Sequence, residues 1–194
     1  MGPWVERNVW NDIPTAIALR MQGHLVVDWQ AIDRYLTVPA APHPGARALD
    51  CCTGVGQGAF ILGLKGYVVD AFDKWGGSAA FLEENGIRFY HQAFEEFTTP
   101  SQYDLICACE CLEHVASPVQ CLARIDKWLT PGGLLRATIP IEGGHTDNPY
   151  HVRGYTEVEA RALFAGWKIT AEEWYQNYIL GLWLRRNRDV VTVH

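Results

Sequence analysis

Short apolar segments alternate with helical segments along most of the chain, and this alternation constrains the fold more than any other feature. ARALDCC, YVVDAF, IRFYH, YDLICACE and LLRATIP are predicted strands, and segments with apolar residues at helical spacing separate them. Strands that alternate with helices form a parallel sheet covered on both faces. WKITAEEWY and YILGLWLRR predict an antiparallel hairpin at one edge. We therefore expect a doubly wound, seven-stranded α/β sheet, mostly parallel, with helices on both faces.

The region before the first strand has a different pattern. DIPTAIALRMQ and VVDWQAIDRYL predict helices, and TVPAAPHPGA, with three prolines and a glycine, predicts a linker. We expect residues 1–45 to form an N-terminal helical cap with a linker, and residues 46–194 to form a single α/β domain.

Charge and cysteine content restrict the class of protein. The net charge of −6 argues against binding to nucleic acid through overall charge. No apolar run approaches the ~18 residues of a membrane span, and MGPWVERN has no apolar signal core, so we expect a cytoplasmic protein without a membrane partner. The six cysteines form no pair of CxxC motifs. Cys107, Cys109 and Cys111 alternate along one predicted strand, so we expect reduced cysteines that pack as small apolar side chains.

The stretch ALDCCTGVGQGAF connects the first strand of the α/β region to its first helix. Gly54, Gly56 and Gly58 would let the backbone bend sharply and approach a ligand closely, and the helix start would offer free N–H groups. The glycines do not fit the G-x-G-x-x-G spacing of dehydrogenases, and no P-loop lysine follows.

This turn resembles motif I of class I S-adenosylmethionine-dependent methyltransferases, with Asp50, Cys52, Gly54 and Gly56 at the motif positions. The resemblance continues in order over residues 46–185, through GYVVDAFDKW, RFYHQAFEEF, YDLICACECLEHV and LTPGGLLRATIP. It implies a Rossmann-like fold, an enzyme of the EC 2.1.1 class and S-adenosylmethionine as methyl donor. Cys52 departs from the family pattern, which has a glycine there.

The resemblance also implies how the cofactor is held. Asp73 would bind both ribose hydroxyls, since a carboxylate can accept two hydrogen bonds. Lys74 and Trp75 would lie beside the adenine. Ala93 replaces an aspartate found in many relatives, so backbone groups and Phe94 would hold the adenine. The cofactor-binding candidates are Asp50, Cys52, Gly54, Gly56, Asp73, Lys74, Trp75, Ala93, Phe94 and Glu110.

The polar end of CACECLEHV follows the fourth strand, where this fold places its acceptor. His114 is a catalytic candidate as a general base, or else a structural hydrogen-bonding group. His151 is the second catalytic candidate, in a loop after the fifth strand that also contains His145. Together Glu110, Glu113, His114 and His151 form a set of two carboxylates and two imidazoles, which suits a divalent metal such as Mg²⁺, Mn²⁺, Zn²⁺ or Fe²⁺.

E-x-x-E-H with a later histidine is similar to the pattern of small-RNA 3′-terminal 2′-O-methyltransferases and of ubiquinone-pathway O-methyltransferases. The ubiquinone-pathway group is the closer in motif pattern. In both groups the resemblance implies a metal that holds vicinal oxygens and lowers the pKa of the acceptor. Because the chain is short and acidic, O-methylation of a small molecule is favoured over an RNA acceptor.

Two alternative functions stay open. One is a metal-dependent RNA 2′-O-methyltransferase. The other is a catalytically silent S-adenosylmethionine-binding module, which the departures at Cys52 and Ala93 would allow. Arg153 would grip a carboxylate or phosphate, or else be a solvated loop charge. The sequence leaves the oligomeric state undetermined. The remaining acceptor-binding candidates are aromatic: Tyr150, Tyr155, Trp4, Trp10 and Trp29.

Overall fold

The computed structural model describes residues 29–144 and 148–187. Trp4, Trp10 and His145 lie outside these residues, as does the predicted helix DIPTAIALRMQ. The elements follow in the order α1 (Trp29–Leu36), β1 (Arg47–Cys51), α2 (Gln57–Leu64), β2 (Val68–Asp73), α3 (Ala79–Glu84), β3 (Arg88–His91), β4 (Tyr103–Cys109), α4 (Pro118–Trp128), β5 (Leu129–Pro140), α5 (Glu157–Leu163), β6 (Trp167–Tyr175) and β7 (Ile179–Arg186).

The strands form one seven-stranded sheet in the order β3-β2-β1-β4-β5-β7-β6. Strands β1 to β5 pair in parallel, and β7 runs antiparallel to both β5 and β6. The order in which successive strands are added to the sheet reverses between β1 and β4, so the carboxyl ends of these two parallel strands lie at the point where ligands bind in open α/β sheets. The predicted fold class, including the antiparallel edge hairpin, is confirmed.

Apolar side chains cover both faces of the sheet. One face packs Phe72 and Phe97 against α4, which contributes Trp128, and the other packs Ile32 and Leu62 from α1 and α2. Helix α1 approaches α2 closely at Gly58, where a Cβ atom would come within 2.2 Å of the Tyr35 ring. This contact places the α1 side chains over the carboxyl end of β1. The division at residue 45 between a cap and the main domain stays a prediction.

The sequences SPVQ (117–120) and TEVE (156–159) each predict a capping box at a helix start, with Pro118 in the first turn of the former, and the two differ in outcome. At the start of α5 the Thr156 side chain accepts from the N–H of Glu159 and the Glu159 carboxylate accepts from the N–H of Thr156, which confirms the box. At the start of α4, Pro118 occupies the first turn as predicted, but the Ser117 side chain makes no capping hydrogen bond. The capping box predicted there is wrong, and proline alone marks that helix start.

The cysteines contradict the sequence prediction in part. Strand β4 ends at Cys109, and Glu110 has a left-handed backbone with φ of 48°. This turn breaks the alternation, so Cys111 points into the opposite face of the sheet from Cys107 and Cys109. There it forms a disulfide with Cys52. The prediction of reduced cysteines is therefore wrong for this pair, whereas Cys107 and Cys109 are free, buried packing residues.

No helix within the described parts of the chain is both long and apolar enough to cross a membrane.

Candidate cofactor and acceptor site

A cavity of about 400 Å³ opens at the carboxyl ends of β1, β2 and β4. Eight of the predicted site residues line it: Cys52, Gly54, Asp73, Lys74, Ala93, Phe94, Glu110 and His114. Asp50, Gly56, Trp75, Glu113 and His151 do not line it. The topology thus brings most of the predicted site to one cavity.

Asp50 lies beneath the cavity and supports its floor. Its carboxylate is fully buried and accepts hydrogen bonds from Tyr35 Oη at 2.7 Å and Thr53 Oγ1 at 2.5 Å. Burial raises the pKa of Asp50 to about 6, although both hydroxyl donors oppose the shift. Asp50 therefore fixes the glycine turn to β1 and α1.

The glycine turn uses left-handed backbone at several positions. Gly54 and Gly56 have φ angles of 56° and 89°, and a Cβ atom at Gly56 would lie 2.8 Å from Leu82. Cys52 also has a positive φ, 54°, which explains why the methyltransferase motif has a glycine at this position. The turn directs the Gly54 N–H onto Asp73 Oδ2 at 2.8 Å.

Asp73 ends β2 and is 8% exposed at the cavity wall. Its second carboxylate oxygen accepts the N–H of Trp75 at 2.7 Å, so two backbone donors fix its orientation. Phe94 packs edge-on against Phe72 on the far side of the wall. The Trp75 side chain is 53% exposed and lies over Gly77 rather than in the cavity.

The cavity lining also includes Arg34, Tyr35, Gln57 and Gln92, which are not among the predicted site residues. Arg34 is 5% exposed, and its Nη1 donates to Glu110 Oε2 at 2.5 Å. The Arg34 Nε atom is buried without a hydrogen-bond partner among the described residues. Because 76 residues separate Arg34 from Glu110, only the packing of α1 reveals this ion pair.

His114 lies at the rim of the cavity beside the loop that follows β5. Its Nδ1 atom is 2.9 Å from the carbonyl oxygen of Tyr150, which can only accept, so Nδ1 carries the proton and Nε2 is an acceptor. Burial lowers the pKa of His114 below its ordinary value of 6.5. The imidazole is therefore neutral near pH 7, and its Nε2 lone pair can accept a proton.

His151 packs edge-to-face against His114, with 4.7 Å between ring centroids. Its Nδ1 lies 3.0 Å from Glu142 Oε2, and its Nε2 lies 3.0 Å from Asn148 Nδ2. Both ring nitrogens of His151 are therefore engaged within the loop. The Glu142 carboxylate accepts from Nδ1, which leaves Nε2 to accept from the amide of Asn148.

Glu113 is completely buried, and burial raises its pKa well above the ordinary value. Neither of its carboxylate oxygens has a hydrogen-bond partner within residues 29–144 and 148–187. Glu113, His114 and His151 each bring one potential ligand atom to within 4.8 Å of the others. Glu110, the fourth predicted metal ligand, is not in this group and is paired with Arg34 instead.

The loop that carries His151 is held against the turn after β4. The N–H of Val152 donates to the carbonyl of Glu113 at 2.8 Å, and Arg153 Nη2 donates to the carbonyl of Ala116 at 2.8 Å. Tyr155 is buried, with its hydroxyl 3.4 Å from the carbonyl of Leu112. Arg153 and Tyr155 thus contact the protein's own backbone, while Tyr150 lines the cavity.

Comparison with known families supports the interpretation of the fold. Residues 49–137, just under half of the chain, match a family model described as a methyltransferase domain. The match runs from β1 into β5 and includes the glycine turn, Asp73 and His114. The prediction of an enzyme of the methyltransferase class is confirmed. No curated protein matches the sequence.

Solved structures with the same fold come from several organisms. The 1,6-didemethyltoxoflavin-N1-methyltransferase of Burkholderia thailandensis, solved with S-adenosylhomocysteine, has a TM-score of 0.64 and 20% identity over 93% of this chain and 81% of its own. A Leishmania major S-adenosylmethionine-dependent methyltransferase has a TM-score of 0.66 and 19% identity over 90% of this chain and 79% of its own.

Magnesium protoporphyrin IX methyltransferase from Synechocystis, solved with S-adenosylmethionine, has a TM-score of 0.58 and 16% identity over 92% of this chain and 79% of its own. The named substrates of these proteins differ widely, so the shared fold does not select an acceptor. Two of these structures contain S-adenosylhomocysteine or S-adenosylmethionine.

Proposed function

We propose that this methyltransferase transfers the methyl group of S-adenosylmethionine to a hydroxyl group of a small molecule, with His114 as the general base. The observation that carries the proposal is the position of His114 Nε2, an acceptor at the rim of the cavity that Asp73 and the glycine turn also line. In its motif pattern, this chain most resembles the ubiquinone-pathway O-methyltransferases.

The donor end of the cavity suits each part of the cofactor. Asp73 would accept the ribose hydroxyls, and Ala93 and Phe94 would border the adenine. Arg34 and Glu110 line the same cavity with opposite charges. The methionine part of the cofactor carries a carboxylate and an ammonium group, so Arg34 would take the former and Glu110 the latter. In this arrangement two charge-assisted contacts replace one ion pair.

At the acceptor end His114 would remove the hydroxyl proton as the oxygen attacks the methyl carbon. Methyl transfer is an in-line displacement, in which the new C–O bond forms as the S–C bond of the sulfonium breaks. The Tyr150 carbonyl holds the His114 ring in the tautomer that can accept this proton. The lowered pKa keeps the ring neutral at the pH of reaction.

The experiment has two stages. Calorimetry with S-adenosylhomocysteine first tests cofactor binding. S-adenosylhomocysteine formation is then measured with catechols, phenols, aliphatic alcohols and amines of similar size, and with short RNA. We expect turnover in the hydroxyl groups of the panel. Turnover only with amines or with RNA would contradict the proposed acceptor, and cofactor binding without turnover on any acceptor would favour a silent binding module.

A divalent metal at Glu113, His114 and His151 is the alternative to the general base, because a metal bound to His114 would occupy Nε2, the atom that otherwise accepts the proton. The buried, unpartnered oxygens of Glu113 favour it, because buried carboxylates ordinarily have partners. Glu110 does not fit the site, since it is paired with Arg34, and the Nε2 atom of His151 is engaged by Asn148. When bound, such a metal would hold vicinal acceptor oxygens and lower their pKa.

Metal content is the direct test of this second candidate. The purified protein is incubated with Mg²⁺, Mn²⁺ or Zn²⁺, desalted and assayed by elemental analysis and thermal unfolding. Retention of one equivalent in the natural sequence and its loss in Glu113→Gln would support the site. Equal metal content in both proteins, or turnover that is indifferent to EDTA, would exclude a role for the metal. We also propose a cytoplasmic location, which cell fractionation tests.

A further inference from the structure

The disulfide between Cys52 and Cys111 joins two turns beside the cavity. Cys52 follows β1 and Cys111 follows β4, 59 residues later, with their Cα atoms 5.5 Å apart. Cys52 lines the cavity, whereas Cys111 is fully buried. The bond therefore runs from the wall of the candidate cofactor site into the core.

Each of the two turns holds a non-glycine residue in the left-handed backbone region. Cys52 has a φ of 54°, and Glu110, next to Cys111, has a φ of 48°. Residues with a Cβ atom rarely adopt this conformation, because Cβ approaches a neighbouring carbonyl oxygen. The cross-link therefore holds together two backbone turns that their own residues disfavour.

The residues beside these cysteines make the contacts that shape the cavity. Two positions after Cys52, the Gly54 N–H donates to Asp73 Oδ2 at 2.8 Å. One position before Cys111, Glu110 pairs with Arg34. A movement of either turn would therefore change the orientation of the groups that face the cofactor.

We propose that the Cys52–Cys111 pair is a redox switch for cofactor binding, in which the disulfide form holds the cavity in its binding shape and the dithiol form binds more weakly. The proposal rests on the proposed function, because it takes this cavity to be the S-adenosylmethionine site. In intracellular proteins, disulfides that do form are commonly redox-sensing or catalytic.

The switch requires a dithiol reductant, which enters through the cavity. A thiolate of the reductant attacks Cys52 Sγ, the sulfur at the cavity wall, the Sγ–Sγ bond breaks, and Cys111 leaves as a thiolate that takes up a proton. The second thiol of the reductant then displaces Cys52. The protein gains two electrons and two protons, and the reductant becomes a disulfide.

Three of the four other cysteines are poor competing partners, whereas Cys109 lines the cavity and a hydrogen bond from Cys107 lowers its pKa. Cys51, Cys107, Cys109 and Cys121 are free and buried. Burial raises the pKa of Cys121 to about 12, and it also raises that of Cys51, so both thiols are protonated and poorly nucleophilic. Exchange of the disulfide with these thiols is therefore disfavoured.

The test compares one protein in two redox states. S-adenosylhomocysteine affinity is measured by calorimetry for the full chain without reductant and after reduction by dithiothreitol, with thiols counted by alkylation in denaturant and mass spectrometry. We expect reduction to expose two new alkylation sites, Cys52 and Cys111, and to weaken binding by roughly 5- to 50-fold, within the usual range of coupling between sites. By the same linkage, bound S-adenosylhomocysteine should shift the thiol–disulfide equilibrium towards the disulfide.

Three variants separate the cross-link from the backbone conformation. Cys52→Ser lacks the bond and should bind as weakly as the reduced protein, without a response to dithiothreitol. Cys52→Gly also lacks the bond, but glycine adopts a positive φ freely, so it should bind more tightly than Cys52→Ser. Cys121→Ser, a matched control in α4, should keep the full response to reductant.

Equal affinity in the oxidised and reduced states would overturn the switch while leaving the proposed function intact. Alkylation of Cys52 and Cys111 before any reductant is added would also overturn it, since the bond would then be absent in solution. If S-adenosylhomocysteine bound in neither state, the proposed function would fail and this inference with it.

Discussion

Two buried carboxyl groups follow neighbouring strands of the sheet, and their surroundings differ. Asp50, at the end of β1, accepts hydrogen bonds from Tyr35 and Thr53. Glu113, just after β4, has no partner for either carboxylate oxygen among the described residues. Among the described residues, the carboxylate below the donor side of the cavity is therefore satisfied by the protein's own hydroxyl groups, whereas the one beside the acceptor side is not.

The contrast predicts separable effects of substitution: changes on the donor side should alter cofactor affinity, and changes on the acceptor side should alter turnover. Asp73 and Arg34 contact the cavity from the donor side. His114 contacts it from the acceptor side, fixed by a carbonyl from the loop after β5. A variant that altered cofactor affinity and turnover equally would show that the two sides of the cavity do not act separately.

We expect the largest effect from His114→Asn, which keeps a donor near the Tyr150 carbonyl but removes the base. Turnover on the best acceptor of the panel should fall by about 10²- to 10⁴-fold, the usual contribution of a general base. Affinity for S-adenosylhomocysteine, measured by calorimetry, should stay the same. His43→Asn, in the exposed loop before β1, is the matched control and should keep full turnover.

The same base predicts the pH profile of turnover. Because burial lowers the pKa of His114, the protonated, inactive form accumulates only below its ordinary value of 6.5. The rate should therefore rise with pH through an acidic limb and be level at neutral pH. A limb centred above pH 7 in the natural sequence, or an unchanged limb in His114→Asn, would argue against His114 as the base.

Asp73→Asn should give the largest effect on the donor side. The substitution removes the charge and one of two acceptor oxygens now used by the N–H groups of Gly54 and Trp75. Hydrogen bonds to charged groups contribute about 1.5–3 kcal/mol, so affinity for S-adenosylhomocysteine should fall roughly 10- to 100-fold. Asp104→Asn, at the amino end of β4, should leave this affinity unchanged.

Sequence reasoning located these donor-side residues because each follows a strand within a recognisable motif. Gly54 and Asp73 lie at the ends of β1 and β2, and parallel strands bring their carboxyl ends together in any sheet of this order. Strand alternation and turn composition were therefore sufficient for the fold, whereas the resemblance to the methyltransferase motifs identified the predicted residues of the cavity wall.

Contacts between distant segments were not predictable in the same way. Arg34 reaches Glu110 only because Gly58 lets α1 pack closely on α2. The disulfide depends on the left-handed turn at Glu110, which nothing in CACECLEHV indicates. Glu110, a member of the predicted four-residue metal set, is likewise paired with Arg34 instead. Each of these outcomes depends on packing rather than on local pattern.

Arg34→Gln tests one such contact and should weaken S-adenosylhomocysteine binding by roughly 10-fold, since one charge-assisted hydrogen bond is lost. The affinity of 5′-methylthioadenosine, which lacks the amino-acid end, should not change. Arg34→Lys keeps the charge. It should therefore retain part of the difference in affinity between S-adenosylhomocysteine and 5′-methylthioadenosine. Equal weakening of both ligands would show that Arg34 supports the cavity as a whole rather than the methionine end.

Substitution of the two buried carboxyl groups, Asp50 and Glu113, should give the smallest effects, and it tests the difference in their surroundings directly. Asp50→Asn should lower the free energy of unfolding at neutral pH by about 1 kcal/mol, because an amide cannot accept from both Tyr35 and Thr53. Glu113→Gln has no such contacts to lose, so in metal-free buffer it should be neutral or stabilising. Chemical denaturation of both variants beside the natural sequence measures these changes.

The contribution of Asp50 and Glu113 to the free energy of unfolding should change with pH in a defined direction. Burial raises both pKa values in the folded state, so each ionised carboxylate destabilises the fold, and the natural sequence loses stability as pH rises from the unfolded pKa to the folded pKa. For Asp50 that window runs from 3.8 to about 6. The stability of Glu113→Gln relative to the natural sequence should therefore increase with pH. A decrease instead would mean that the ionised Glu113 has a partner in solution, as a bound metal would provide.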